Sequence, residues 1–199
     1  MRQNNLFSNH FLDEKVKNSD EWEDIDEEKL SKVKEIFHEP QDLIEDLSED
    51  EIKNRVVEPI LEILGHNWES EAGSSAKKPD FLFNDQTGDY AIGEAKNWDK
   101  SLDKTSEASS NPAYQISEYL SHTDVRWGIL TNGKKWRLYH AEADNLDTFY
   151  EIDLLKLVEA GSLEDFKYFY NFFRKDAFLP KDSSFLEKAY KESIKQEEI

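Results

Sequence analysis

The segment that most restricts the fold is residues 79–96. Two apolar runs, PDFLF at Pro79–Phe83 and DYAIGEAK at Asp89–Lys96, flank the turn Asn84-Asp85-Gln86-Thr87-Gly88. Short runs rich in Phe, Tyr and Ile, bounded by Asn, Asp and Gly, read as the two strands of a hairpin. A hairpin sets the start of its first strand beside the end of its second, so Asp80 comes to stand next to Glu94. Alternation along a strand puts Glu94 and Lys96 on one face, with Ala95 turned into the core. Two carboxylates and an ammonium thus converge at one end of a sheet.

The surrounding chain supplies the rest of an α/β domain. Ser48-Glu49-Asp50-Glu51 has the capping-box form and opens a helix. Ile52, Val56, Ile60, Leu61 and Leu64 share one face of that helix, Pro59 should kink it, and Gly65 ends it. A short strand is expected at Asn67–Ala72 ahead of the hairpin, and a polar loop at Asp99–Asn111 after it. Pro112 opens a second helix carrying Tyr114, Ile116, Tyr119 and Leu120. Arg126–Thr131 and Lys135–His140 form another hairpin across Asn132-Gly133. Phe149–Ile152 suits an edge strand, Leu154–Ala160 and Leu163–Phe173 suit helices, and Lys181–Ile199 reads as a charged helix. Residues 1–47 are read as short amphipathic helices in a peripheral extension, broken at Pro40. The order α-β-β-β-α-β-β implies a mixed central sheet flanked by helices, with helical extensions at both ends. The aromatic stripe Phe166, Phe169, Tyr170 and Phe173 reads as core rather than as a base-stacking platform.

Charge and composition exclude several functions. No Cys is present, which removes disulfides and thiolate metal sites. The five His form no zinc pattern, and neither a phosphate-binding P-loop nor an S-adenosylmethionine or methylase motif occurs. There is no apolar run long enough to span a bilayer and no signal peptide, so the expectation is a soluble, cytoplasmic protein. The net charge of −19 argues against unaided nucleic-acid binding, because that affinity comes mainly from Lys and Arg on phosphates. The excess is uneven: residues 1–50 hold 16 Asp/Glu against 6 Lys/Arg, whereas residues 77–104 hold 6 against 5.

Two carboxylates with a backbone carbonyl such as that of Ala95 can hold Mg²⁺, a hard cation that prefers oxygen. A lysine beside them can orient a water or meet charge on a phosphate in the transition state. Pro79-Asp80 followed by Glu94-Ala95-Lys96 resembles the motif of the PD-(D/E)xK nucleases. EIKNRVVEPILEILGH at Glu51–His66 resembles the first helix of the nuclease domain in type I restriction subunits and in type IIG restriction–modification enzymes. Gln115-Ile116-Ser117-Glu118-Tyr119 resembles the Q-x-x-x-Y element on the helix that follows. RWGILTNGKKWRLYH at Arg126–His140 is similar to the family's T-N-G-x-x-W-x-x-Y segment, and DFKYFYNFFRKDAF at Asp165–Phe178 to a closing helix.

The resemblance implies a restriction-endonuclease-like core over 48–152, after an acidic extension at 1–47 and before a helical segment at 153–199 that leads toward a further domain. It implies Mg²⁺-dependent cleavage of double-stranded DNA, with Mn²⁺ as a substitute, leaving 5′-phosphate and 3′-hydroxyl ends. Asp80 and Glu94 would be metal ligands and Lys96 the catalytic lysine. Glu51 would reach the metal through water, unless its carboxylate serves only the capping box. Gln115 and Tyr119 share a helix face and would touch Lys96 or the DNA backbone. Lys77, Lys78, Lys100 and Lys104 flank the motifs as candidate phosphate contacts. Such domains act in restriction of foreign DNA beside a methyltransferase, helicase or specificity domain, and cutting both strands calls for transient dimerisation on DNA. The contrasting expectation is a scaffold or DNA-binding module that keeps the fold and has lost cleavage.

Overall fold

A computed structural model of the chain describes residues 2–69, 78–103, 111–143 and 146–197. Its centre is a mixed sheet of seven strands: β1 (Arg2–Asn4), β2 (Trp68–Glu69), β3 (Phe81–Asp85), β4 (Gly88–Ala95), β5 (Trp127–Thr131), β6 (Lys135–His140) and β7 (Tyr150–Asp153). Their spatial order is β1-β7-β6-β5-β4-β3-β2. Every neighbouring pair is antiparallel except β4–β5. A parallel pair cannot be closed by a tight turn, and the crossover between β4 and β5 contains helix α5 (Pro112–Ser121).

The other helices are α1 (Glu27–Ile36), α2 (Gln41–Glu45), α3 (Glu49–Ile52), α4 (Glu58–Ile63), α6 (Leu154–Ala160), α7 (Leu163–Phe173) and α8 (Phe185–Glu197). The α/β class and the mixed sheet flanked by helices agree with the sequence reading. The capping box at Ser48 is formed in both directions. The helix it opens does not break at Pro59. A π-helical stretch, Lys53–Val57, joins α3 to α4, with the Glu58 N–H bonded to the Lys53 carbonyl. Pro59 has no N–H to give and its ring crowds the carbonyl four residues back; the widened turn before it accommodates both.

The two faces of the sheet are covered unequally. One carries the main core, in which Phe81, Phe83, Ile129, Trp136, Leu138 and Tyr150 meet the helices. The aromatic stripe of α7 lies in this core, as its spacing indicated. The other face carries α5, whose Ile116 and Leu120 pack with Ile92, Leu130 and Tyr139. The fit there is close: a Cβ at Gly128 would lie 2.7 Å from Ile116 Cγ2.

The structure differs from the sequence reading at the chain ends and strand bounds. Residues 2–4 form a strand, not a helix, and pair with β7. β7 is therefore internal, although Phe149–Ile152 suggested an edge. Leu6, Phe7, Phe11, Leu12 and Val16 are buried in the main core, so this stretch is not peripheral. β3 begins at Phe81 rather than Pro79 and runs on through Asn84 and Asp85 past an irregularity at Phe83/Asn84. The expected strand Asn67–Ala72 is seen at Trp68–Glu69, and its remainder from residue 70 lies outside the described residues.

Candidate active site

The carboxylates meet where β3 begins and β4 ends. β3 and β4 are in register with Phe81 opposite Gly93, which sets Asp80 beside Glu94. Asp80 Oδ2 accepts the Ala95 N–H at 2.9 Å, and Glu94 Oε2 accepts the Asp80 N–H at 3.2 Å. Lys96 Nζ donates to Glu94 Oε1 at 2.8 Å, which is the shared strand face expected of residues two apart. Ala95 is fully buried in the main core. Its carbonyl has a defined direction. The Lys96 N–H bonds to Thr131 O at 2.8 Å; in a trans peptide the preceding C=O points the opposite way, so the Ala95 oxygen faces the β3 side, where Asp80 sits.

Glu94 is 7% exposed. Burial, and then the neighbouring Asp80 carboxylate, push its carboxyl above the ordinary range; Lys96 offsets only part of this. Tyr119 lies close enough to feel both acids. Burial first, then Glu94 and Asp80, push its phenol up to about 12, so it stays an O–H donor at neutral pH. That hydroxyl donates to the Lys78 carbonyl at 2.9 Å. Tyr119 thus anchors α5 to the segment that leads into Pro79-Asp80.

The remaining expected residues are placed as follows. Glu51 Oε2 accepts the Ser48 N–H at 2.9 Å and the Ser48 hydroxyl at 2.8 Å. Its carboxylate is exposed and makes the reciprocal half of the capping box. Gln115 is half-buried on α5, and its side chain has no hydrogen-bond partner among the described residues. Lys78 is exposed. Lys100 is half-buried, and its carbonyl accepts Asn132 Nδ2 at 2.9 Å, tying the loop after β4 to the β5–β6 turn. Lys77 and Lys104 lie outside the described residues.

One member of the group escaped the sequence reading. Lys53, five residues into the first helix's capped start, places Nζ 3.7 Å from Asp80 Oδ1 and 3.1 Å from Asp50 Oδ1. Burial works against its charge, but Asp50 and Asp80 outweigh it and hold its pKa above the usual lysine value. The Asp50/Lys53 spacing was a visible sign of an ion pair; the reach to Asp80 depends on how the helix end lies against the sheet.

The donor set suits a hard divalent cation: two carboxylates and a backbone carbonyl converge, all oxygen. Among the described residues, no group of three or more His, Cys, Asp or Glu gathers in a metal-sized cluster, so the carbonyl is the third oxygen available from the chain. Nor, among the described residues, is any helix long and apolar enough to cross a membrane. No family model matches the chain, and no curated protein or solved structure matches it either.

Proposed function

We propose that this chain is a Mg²⁺-dependent DNA endonuclease domain with a restriction-endonuclease-like core, acting as the cleavage module of a restriction system. The observation that supports it most is the contact set Asp80–Ala95, Asp80–Glu94 and Glu94–Lys96, which joins two carboxylates, the Ala95 backbone and a lysine at one sheet end. Asp80, Glu94 and the Ala95 carbonyl would hold the cation. The chemistry supplied by Mg²⁺ bound there is polarisation of a phosphate oxygen and a lowered pKa for a coordinated water.

The chain's own residues do the rest. Lys96 has three N–H donors and commits one to Glu94, which leaves the others to orient the attacking water and to meet negative charge growing on the phosphate. Attack by that water on phosphorus, with loss of the 3′ oxygen, yields a 5′-phosphate and a 3′-hydroxyl. Tyr119 keeps the Asp80 segment in place through Lys78 O. Lys78 and Lys100, with Lys77 and Lys104, would take backbone phosphates of double-stranded DNA. With a net charge of −19, tight target recognition would come from a methyltransferase, helicase or specificity domain in the same chain or complex. Transient dimerisation on DNA would supply the second strand's active site.

A second reading, a scaffold that has lost cleavage, draws on one observation. All four carboxylate oxygens already have partners within the chain: Ala95 N–H and Lys53 on Asp80, Asp80 N–H and Lys96 on Glu94. Supercoiled plasmid at low salt separates the two readings. The nuclease nicks or linearises it with Mg²⁺ or Mn²⁺ and not with chelator, and Asp80→Asn does neither. A chain that leaves the plasmid intact with either ion and binds no Mn²⁺ is the scaffold.

A further inference from the structure

The four contacts on the two carboxylates are not equal. Glu94 and Lys96 are two residues apart on one strand and meet at 2.8 Å, with side chains 9% and 12% exposed. That pair cannot separate without leaving a buried carboxylate unpaired. Lys53 is held more loosely. It approaches Asp80 at 3.7 Å from a different element, its side chain is 25% exposed, and it already touches a second carboxylate, Asp50, at 3.1 Å. Asp50 is 83% exposed and near the helix start. A small side-chain rotation therefore moves the ammonium from Asp80 wholly onto Asp50 without breaking into the core, because the neighbouring Ile52, Val56 and Val57 keep the backbone of this stretch fixed.

Charge supplies the reason for such a movement. In the observed arrangement the two carboxylates of the site face two ammonium groups, and Asp50 stands outside them as a further carboxylate on Lys53. Adding a divalent cation with both lysines in place would crowd like charges within a few ångströms, which opposes binding.

We propose that Lys53 is the resident counter-ion of Asp80 in the metal-free site, and that it withdraws to Asp50 on cation binding and so sets the metal affinity of the site. The proposal rests on the reading of Asp80 and Glu94 as a cation site. It makes Lys53 a positioning residue: it touches neither substrate nor metal, and it acts through Asp80.

The test is calorimetric titration of the full chain with Mn²⁺ at fixed pH and ionic strength. The variants are Lys53→Met, Lys53→Arg, Asp50→Asn and the double variant Lys53→Met/Asp50→Asn, with Asp80→Asn as the control and circular dichroism as the check on folding. Lys53→Met should bind Mn²⁺ about tenfold more tightly, the scale of effect of one charge at this range. Lys53→Arg should stay near the parent. Asp50→Asn should weaken binding, since it removes the ammonium's second home, but should change little once Lys53 is Met; that coupling is what a general charge effect would not produce. Unchanged or weaker binding in Lys53→Met, with Asp80→Asn abolishing it, overturns the role of Lys53 and leaves the cation site standing. Binding that survives Asp80→Asn, or is absent from both the parent and Lys53→Met, overturns the cation site and the proposal together.

Discussion

Burying a carboxylate is costly unless something nearby offsets the lost hydration, and Glu94 has two such groups, the Lys96 ammonium and the Asp80 N–H. The same accounting at His66 gives a pH dependence. His66 Nε2 meets the Phe173 carbonyl at 2.6 Å, and a carbonyl only accepts, so Nε2 carries the proton. Nδ1 then accepts the Tyr90 hydroxyl at 2.7 Å, and the ring is neutral. Burial pushes its pKa from 6.5 down to about 4. Between those values the unfolded chain binds the extra proton, so the contribution is present above pH 6.5 and is lost as pH falls toward 4. Urea unfolding should show the stability advantage of the parent over His66→Gln shrinking below pH 6.5, by up to about 1.4 kcal/mol per pH unit. An advantage constant from pH 7 to 4.5 would contradict the neutral buried ring. At this scale the sequence displayed much of the candidate site, because Asp80, Glu94 and Lys96 lie on one hairpin and strand alternation alone relates them. It did not display Lys53, which reaches Asp80 from a separate helix, and of the two roles it left open for Glu51 the Ser48 contacts show the capping one.

Among the elements, the hairpin β3–β4 and the crossover helix α5 hold the candidate site, and each has a position where a small change should be felt. Gly128 lets α5 approach the sheet; an added methyl would sit 2.7 Å from Ile116 Cγ2. Gly128→Ala should cost about 1–3 kcal/mol by overpacking, measured by urea unfolding, and should also lower cleavage because Tyr119 moves with the helix. Ser48→Ala should cost about 1 kcal/mol through loss of the cap, in the same assay. The turn between β5 and β6 was legible from Asn132-Gly133: Gly133 takes φ +89, and Asn132 Oδ1 accepts the Lys134 and Lys135 N–H groups at 3.2 and 2.9 Å. α6 and α7 also fall where their periodicity placed them. The helix runs on through Pro59 behind a π turn, which sequence rules that count a proline as a break do not register.

Across the whole molecule, the amino-terminal segment was the least legible part. The sequence suggested short helices packed as a peripheral extension, yet three residues add an edge strand beside β7, and Phe7 packs on Tyr150 and Phe172 at centroid distances of 5.5 and 5.3 Å. A strand of three residues leaves no periodicity to read, and its partner lies some 150 residues away along the chain. Phe7→Ala should cost about 3–5 kcal/mol, measured by denaturant unfolding; a loss under 1 kcal/mol would show the segment to be an appendage after all. At the carboxyl side, α8 is tied to the sheet through buried Glu187, which accepts Trp127 Nε1 at 3.0 Å and faces His140 Nε2 at 3.1 Å. On the proposed reading, contact with DNA rests on the few lysines around the motifs and weakens as salt rises, so the decisive assay belongs at low ionic strength. Supercoiled plasmid is incubated with Mg²⁺ or Mn²⁺ and either the parent chain or Lys96→Ala. The nuclease reading requires nicked or linear product from the parent and its loss in the variant. Cleavage that persists at the parent's rate in Lys96→Ala would contradict the assignment of Asp80, Glu94 and Lys96 as the active centre.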